Sequence, residues 1–253
     1  MTNHQRLFSG EIVMQVLVFQ HEPFEGLGAM APWLEARGAS VRMVPQFEPH
    51  DEVLPDPESL DLIVLLGGPM SVHDTAIHPW LLGEKRYIRQ ALDRGCPMLG
   101  VCLGAQLIAE QLGASISKNQ HREIGWWPIH WTDEAHTIWP QAKSPTRVYH
   151  WHGETFDLPK GAERLATSAA CANQGFRYGE CVVGLQFHLE MTKATVEDLI
   201  IHGGDELVTA PFIADEKTQL HEPASSYLQN QALMAELLGF LTKSRLADQE
   251  MTE

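Results

Sequence analysis

The sequence predicts an α/β fold, with a doubly wound, mostly parallel β-sheet that is covered by helices on both faces. Three observations carry this prediction. Short β-branched and apolar runs alternate with stretches whose apolar residues recur at helical spacing. Glycine-rich turns follow several of the apolar runs, at the strand ends where ligands gather in such folds. The 253 residues, 44% of them hydrophobic, are enough to form one large core.

The alternation is clearest in the first half of the chain. The opening run is β-branched and apolar, and Gly38 predicts the end of the helix that follows it. The predicted elements are, in order, strand 13–19, helix 24–37, strand 40–45, strand 60–66, helix 79–94, strand 97–101 and helix 103–112. The chain therefore opens as a β-α-β unit, and the pattern of strand, loop and helix then recurs.

After residue 124 the pattern changes to short β-like pieces at 126–131, 147–151 and 181–187, separated by Pro, Gly and Asp. These pieces predict an antiparallel extension of the sheet. Helical patterning resumes after Glu190, and a last amphipathic helix is predicted over 227–241. We expect three parts: an N-terminal tail at 1–12, one domain over 13–200, and a C-terminal helical extension over 201–253 packed on that domain.

The charge and the cysteine content exclude several classes of function. Eighteen Lys and Arg against 33 Asp and Glu give a formal net charge of −15, which repels nucleic-acid phosphates and anionic membrane surfaces. Residues 1–15 lack the pattern of a signal peptide, and glycines break the longest apolar stretch, so no membrane span is predicted. Four cysteines without C-x-x-C spacing favour a reducing, cytoplasmic location.

One cysteine lies in a motif typical of nucleophiles. Gly100-Val101-Cys102-Leu103-Gly104 has the form of the nucleophile elbow G-x-S-x-G, with sulfur in place of oxygen. The sharp turn strains the central residue, and side chains two residues to either side would collide, so both positions favour glycine. The N-terminus of the next helix stabilises a thiolate. The motif predicts a nucleophile, although a small buried thiol beside chance glycines remains an alternative on this motif alone.

A second motif supplies the partners that a thiol nucleophile needs. His188 and Glu190 end a strand-like run, and alternate residues of an extended segment share one face. Both side chains can then face Cys102, where the imidazole moves protons and the carboxylate fixes its orientation. A structural His beside an acidic residue is the alternative for this pair by itself.

Together these residues resemble the triad class of glutamine amidotransferases, in particular the amidotransferase domain of GMP synthase and its stand-alone relatives. The matching pieces, in the family's order, are 67–72, 97–106, 123–125, 152–154 and 184–190. Leu189 departs from the family's usual proline but keeps the spacing. The resemblance implies a flavodoxin-like sheet and hydrolysis of the side-chain amide of glutamine, with Cys102, His188 and Glu190 as catalytic residues.

The resemblance also implies the remaining site residues. It places the oxyanion hole on the backbone N–H groups of Gly68 and Leu103, and preorganised N–H donors suit the charge of a tetrahedral intermediate. It implies substrate-binding roles for Gln106, His152 and Gly153. Gln106 follows the nucleophile by one helical turn and so shares its face.

Two histidines invite a different interpretation. His150 and His152 lie at i and i+2 and would share a strand face, as zinc ligands can. No third ligand is evident at motif spacing, so we expect no metal, and the implied chemistry needs no organic cofactor.

The acceptor of the ammonia is left open by the sequence. Residues 191–253 are too few for a nucleotide-activating synthetase domain, so a complete GMP synthase is not expected. The alternatives are a subunit that feeds ammonia to a synthetase partner, a stand-alone γ-glutamyl peptidase or amidase, and a non-catalytic amine-binding or stress-type module. The expected ligand is glutamine or a γ-glutamyl small molecule. The loop at 203–226 could cover the pocket or form a homodimer surface, although C-terminal packing is the preferred interpretation.

Overall fold

The computed structural model describes residues 13–48 and 53–250 and contains one nine-stranded sheet. The predicted tail at 1–12 lies outside the described residues. The strands are β1 (Gln15–Gln20), β2 (Ser40–Pro45), β3 (Leu62–Leu65), β4 (Met98–Val101), β5 (Ile116–Trp131), β6 (Thr146–Phe156), β7 (Ala162–Thr167), β8 (Gly175–Tyr178) and β9 (Val182–Leu185). Their spatial order is β2-β1-β3-β4-β9-β8-β7-β5-β6.

The sheet has two halves that differ in strand direction. From β2 to β9 all neighbours are parallel, which requires crossover connections and brings the carboxyl ends of these strands to one edge. From β9 to β6 all neighbours are antiparallel. The predicted antiparallel extension is therefore present, with β7 and β8 added to the pieces that the sequence indicated.

Helices cover both faces of the parallel half, which confirms the predicted fold class. They are α1 (Met30–Glu35), α2 (Trp80–Asp93), α3 (Leu103–Gln111), α4 (Lys193–Gly203), α5 (Glu216–Leu220) and α6 (Ala224–Glu250). Side chains alternate along each strand, so β1 packs Val16 and Val18 against α1 and α6 and turns Leu17 and Phe19 toward α2 and α3. Burial on both faces explains why the parallel strands read as continuous apolar runs.

The predicted start of the first helix is wrong. The helix begins at Met30 instead of residue 24, and the segment between β1 and α1 is a loop. Gly28 has a φ of +50°, and a Cβ there would come within 2.2 Å of the Glu190 carbonyl oxygen. The next residue, Ala29, donates its N–H to that same oxygen at 2.7 Å. The loop is thus fixed by a long-range contact that helical periodicity does not reveal.

The C-terminal residues pack on the sheet and border one end of it. The indole of Trp139 donates a hydrogen bond to the Leu233 carbonyl of α6 at 2.8 Å. Upstream, Ile213 forms a bridge with Ile124 of β5. Among the described helices, α6 included, none is both long and apolar enough to cross a membrane.

Candidate active site

An open cleft lies at the carboxyl ends of the parallel strands. Its volume is about 1080 Å³, and its floor includes residues that directly follow β3, β4 and β9. The predicted site residues among those that line it are Gly68, Cys102, Gln106, His152, Gly153 and His188. The parallel half of the sheet thus brings together residues that are far apart in the chain, as expected for this class of fold.

Cys102 occupies a strained turn between β4 and α3. Its φ is 51° and its ψ is −107°, a conformation that costs a non-glycine residue about 1–3 kcal/mol. A Cβ at Gly104 would lie 2.1 Å from the Leu65 carbonyl oxygen, and one at Gly100 would lie 2.5 Å from the Gly104 backbone. Both glycines are therefore required for the turn, as the elbow motif indicates.

The Cys102 sulfur lies among polar groups at the cleft floor. Its thiol donates to the Trp151 carbonyl at 3.5 Å, and the Gln186 amide nitrogen approaches the sulfur at 3.7 Å. Its backbone N–H is tied to the Leu185 carbonyl of β9 at 2.8 Å. Cys102 is therefore held by β9 through its backbone N–H and by β6 through its thiol.

His188 and Glu190 form a tight buried pair next to the thiol. The Nδ1 of His188 and the Oε1 of Glu190 are 2.6 Å apart. Burial alone would lower the pKa of His188, but the charge of Glu190 and the neighbouring Cys102 thiol outweigh it and raise the pKa well above its ordinary value. Within the described residues the other ring nitrogen, Nε2, has no hydrogen-bond partner. An imidazole held in this way is able to give and take protons at Nε2.

The two residues predicted to supply the oxyanion hole, Gly68 and Leu103, lie close to each other. Gly68 lines the cleft, and a Cβ there would come within 3.0 Å of the Leu103 side chain. Leu103 is the first residue of α3, so its N–H has no carbonyl of the helix to bond. In the part of the chain that the structure describes, neither N–H donates a hydrogen bond. Both donors are free to bind an anionic oxygen.

The residues predicted to bind substrate are largely engaged with the protein. Gln106 donates its amide to the Glu154 carbonyl at 3.3 Å and to Gln186 at 3.1 Å, which leaves its own carbonyl oxygen for a ligand. The ring nitrogens of His152 face the Glu154 carbonyl at 3.0 Å and Glu123 at 3.1 Å. Gly153 lines the cleft where a side chain would meet Arg122. Substrate-binding roles for these three residues remain predictions.

The sequence offered no third ligand beside His150 and His152, but the structure supplies one. Glu123 of β5 pairs with His152 across the sheet, and ligand atoms of the three side chains lie within 4.8 Å of one another. The Glu123 carboxylate already accepts hydrogen bonds from Ser168 at 2.7 Å and Gln174 at 2.6 Å. Burial lowers the pKa of His150 to about 3, so this ring is neutral. Glu123 thus links His152 of β6 to Ser168 and Gln174 by hydrogen bonds, whereas neither ring nitrogen of His150 has a hydrogen-bond partner among the described residues.

A further carboxyl near the site was not singled out by the sequence. Glu25 follows β1 and lines the cleft, with an oxygen 2.2 Å from where a Cβ on Gly67 would stand. Burial raises the pKa of Glu25 to about 7, although the nearby His188 and His21 oppose this shift. The signal for Glu25 was its place after a parallel strand, where functional side chains collect.

The outer rim of the cleft is formed by β5, β6 and the residues after α4. Glu206 accepts a hydrogen bond from the Trp151 indole at 3.2 Å and forms an ion pair with Arg122. Gly203 packs against the same indole, and a Cβ there would lie 2.6 Å from it. The C-terminal residues therefore contact the strand whose Trp151 carbonyl meets the Cys102 thiol.

The chain is similar in sequence and in fold to known proteins. The family model described as glutamine amidotransferase class-I matches residues 29–203. A putative glutamine amidotransferase-like protein, YfeJ of Salmonella typhimurium, is 36% identical over 202 residues, covering 78% of this chain and 84% of the relative. The structure of a glutamine amidotransferase from Thermotoga maritima superposes with a TM-score of 0.81 at 33% identity, covering 90% of this chain and 98% of that one.

GMP synthases match a shorter region. The glutamine-hydrolysing GMP synthase of Vibrio vulnificus is 32% identical over 138 residues, which is 52% of this chain. The match covers 24% of that synthase, so the chain spans about a quarter of its length.

Proposed function

The chain belongs to the class I glutamine amidotransferase family, and from this premise we propose that it hydrolyses the side-chain amide of glutamine at Cys102. His188 acts as the acid and base, and Glu190 holds the imidazole. The observation that carries the proposal is the buried His188–Glu190 contact of 2.6 Å beside a strained cysteine. Such a pair is what a thiol nucleophile needs to transfer protons at neutral pH.

The reaction proceeds in two steps through an acyl-enzyme. The Cys102 thiolate attacks the amide carbon, and the N–H groups of Gly68 and Leu103 bind the developing oxyanion. His188 gives its proton to the leaving nitrogen, which departs as ammonia and leaves a γ-glutamyl thioester. Water then attacks the thioester as His188 accepts its proton, and glutamate is released. No step calls for a metal or an organic cofactor.

The experiment compares two cysteine variants in an assay of glutamate release from glutamine. Cys102→Ala is expected to lower the rate by at least about 10³-fold, because no other group can form the thioester. Cys181→Ala is the matched control, since this thiol lies at the opposite, amino end of β9. Activity that survives in Cys102→Ala would remove this residue from the mechanism.

The similarity to GMP synthases suggests what receives the ammonia. Because GMP synthases contain a region similar to this chain, we propose that a synthetase partner receives the ammonia in trans. We also propose that residues 13–200 form the catalytic domain and that 201–253 are an extension packed on it, as the bond between Trp139 and α6 supports. Gel filtration of the chain with candidate synthetases tests the partnership, and ammonia transfer without a stable complex would show that contact is transient.

The size of the cleft favours a second candidate, a γ-glutamyl peptidase or amidase. Pockets for drug-sized ligands are about 300–1,000 Å³, and this cleft of about 1080 Å³ exceeds what one amino acid fills. A panel of glutamine, γ-glutamyl dipeptides and glutathione, followed by glutamate release, separates the candidates. Faster turnover of the dipeptides would favour the second candidate, whereas turnover of glutamine alone would exclude it.

A further inference from the structure

A second buried His–Glu pair lies directly behind the glycine turn of the cleft. His21 follows β1 and is 1% exposed. Its Nδ1 lies 2.9 Å from the Gly67 carbonyl oxygen and 3.1 Å from that of Leu66, and its Nε2 lies 3.0 Å from Glu84 of α2. Gln46 donates to the same carboxylate at 3.0 Å. The proposed mechanism uses none of these side chains directly.

The contacts determine where the protons of His21 lie. Carbonyl oxygens only accept hydrogen bonds, so Nδ1 must carry a proton, and the carboxylate of Glu84 likewise requires a proton on Nε2. Burial by itself lowers the pKa of His21, but the charge and hydrogen bond of Glu84 and the Gly67 carbonyl outweigh it, and the pKa is raised. His21 is thus an imidazolium that donates from Nδ1 to the Gly67 carbonyl and from Nε2 to Glu84.

The orientation of one peptide bond follows from this contact. In a trans peptide the C=O and the next N–H point in opposite directions, so holding the Gly67 carbonyl against His21 turns the Gly68 N–H away from the ring and toward the cleft. Side chains would be crowded at both glycines, which is why glycine is required there. Two adjacent glycines also leave the peptide free to rotate, and the following Pro69 offers no N–H of its own.

We propose that His21, held by Glu84, is a positioning residue that keeps the Gly67–Gly68 peptide oriented as an oxyanion donor. The charged donor on the carbonyl also polarises the peptide and strengthens its N–H as a donor. The packing is rigid, since the His21 ring stacks on Trp80 with centroids 5.3 Å apart. This inference rests on the proposed function, because the oxyanion forms only if an amide is attacked.

Two substitutions at one position separate positioning from packing. The amide nitrogen of His21→Gln reaches the place of Nε2 and keeps the donor for Glu84, whereas that of His21→Asn lies near Nδ1 and keeps the donor for the Gly67 carbonyl. We expect His21→Gln to lower kcat by roughly 10- to 100-fold with KM nearly unchanged, and His21→Asn to retain most of kcat. Alkylation of Cys102 by iodoacetamide forms no oxyanion and checks that both variants are folded. Equal losses of kcat in the two variants, or a loss confined to KM, would overturn the proposal.

Crystal structures of both variants give a readout that needs no turnover. The Gly67 carbonyl is expected to rotate into the cleft in His21→Gln and to keep its position in His21→Asn. If the unaltered chain released no glutamate from any γ-glutamyl amide, the proposed function would fail while this test still stood. An unrotated peptide in both variants would overturn the inference by itself.

Discussion

The strand ends and the outer rim of the cleft are built by different means. At the strand ends, His188 pairs with Glu190 at 2.6 Å and His21 pairs with Glu84 of α2 at 3.0 Å, and all four side chains are buried. At the rim, the Arg122 side chain is 53% exposed and pairs with Glu206, a contact of the kind that contributes about 0–1 kcal/mol. The difference indicates that the reacting groups are held rigidly, whereas the charged groups at the outer rim are held weakly.

The largest expected effect concerns the buried side of this comparison. Glu190→Gln keeps the size of the side chain but removes the charge that supports the His188 imidazolium. We expect kcat for glutamine to fall by roughly 10²- to 10³-fold, measured by glutamate release at saturating substrate. A loss smaller than about threefold would show that the carboxylate is not needed for proton transfer. The contrast between the buried pair and the rim would then have no consequence for catalysis.

An intermediate effect is expected from Glu25, whose pKa is raised to about 7 by burial. Its pKa is about 4.5 when unfolded, so between these values the folded chain binds the extra proton and the free energy of unfolding falls as pH rises. Glu25→Gln removes this loss. Because the carboxyl is partly exposed, the variant should gain roughly 1–2 kcal/mol relative to the parent between pH 5 and pH 8.

Urea unfolding of both proteins at the two pH values measures this gain. The same difference between variant and parent at both pH values would mean that the Glu25 carboxyl is solvated like a surface group. In that case the strand ends would resemble the rim more closely than their burial indicates.

The smallest effect is expected at the rim. Arg122→Met keeps the aliphatic stem that packs near Gly153 but breaks the ion pair with Glu206. We expect KM to change by about two- to fivefold and kcat to stay nearly constant, as steady-state kinetics with glutamine and with a γ-glutamyl dipeptide would show. Glu206→Gln breaks the same ion pair but keeps an acceptor for the Trp151 indole, so a larger effect of Arg122→Met would indicate direct contact with substrate.

The sequence predicted what is encoded locally. The G-x-C-x-G spacing alone indicates the turn at Cys102, and a Cβ at Gly100 would collide with the Gly104 backbone four residues later. The contact that requires Gly104 is with Leu65 of the neighbouring strand β3, which the motif does not reveal. The strands β1 to β4 and the helices α2 and α3 follow from periodicity and glycine stops in the same way. His188 and Glu190 were predicted together because an extended segment places alternate residues on one face.

The missed features depend on contacts between distant segments. The start of α1 is set by Glu190, which lies far along the chain from Gly28. The pairing of His21 with Glu84, and of Glu123 with His152, arises only when α2 packs on the sheet and β5 pairs with β6. Single-sequence patterns carry no information on such neighbours, so His21, Glu84 and Glu25 were not singled out, and the contact between Glu123 and His152 was not predicted although both residues lie in pieces that match the family.

The position of β4 in the sheet has a consequence for local opening. It lies between β3 and β9, with the Cys102 N–H bonded to the β9 carbonyl of Leu185. Exchange of the amide protons there requires separation of central strands and should approach the global unfolding limit. The rim segment 203–208 is held by side-chain contacts of Glu206 to Arg122 and Trp151 and by the packing of the half-buried Leu207, with no strand pairing of its own. The rim is therefore expected to open at a lower free energy than the turn that holds the nucleophile in its strained geometry.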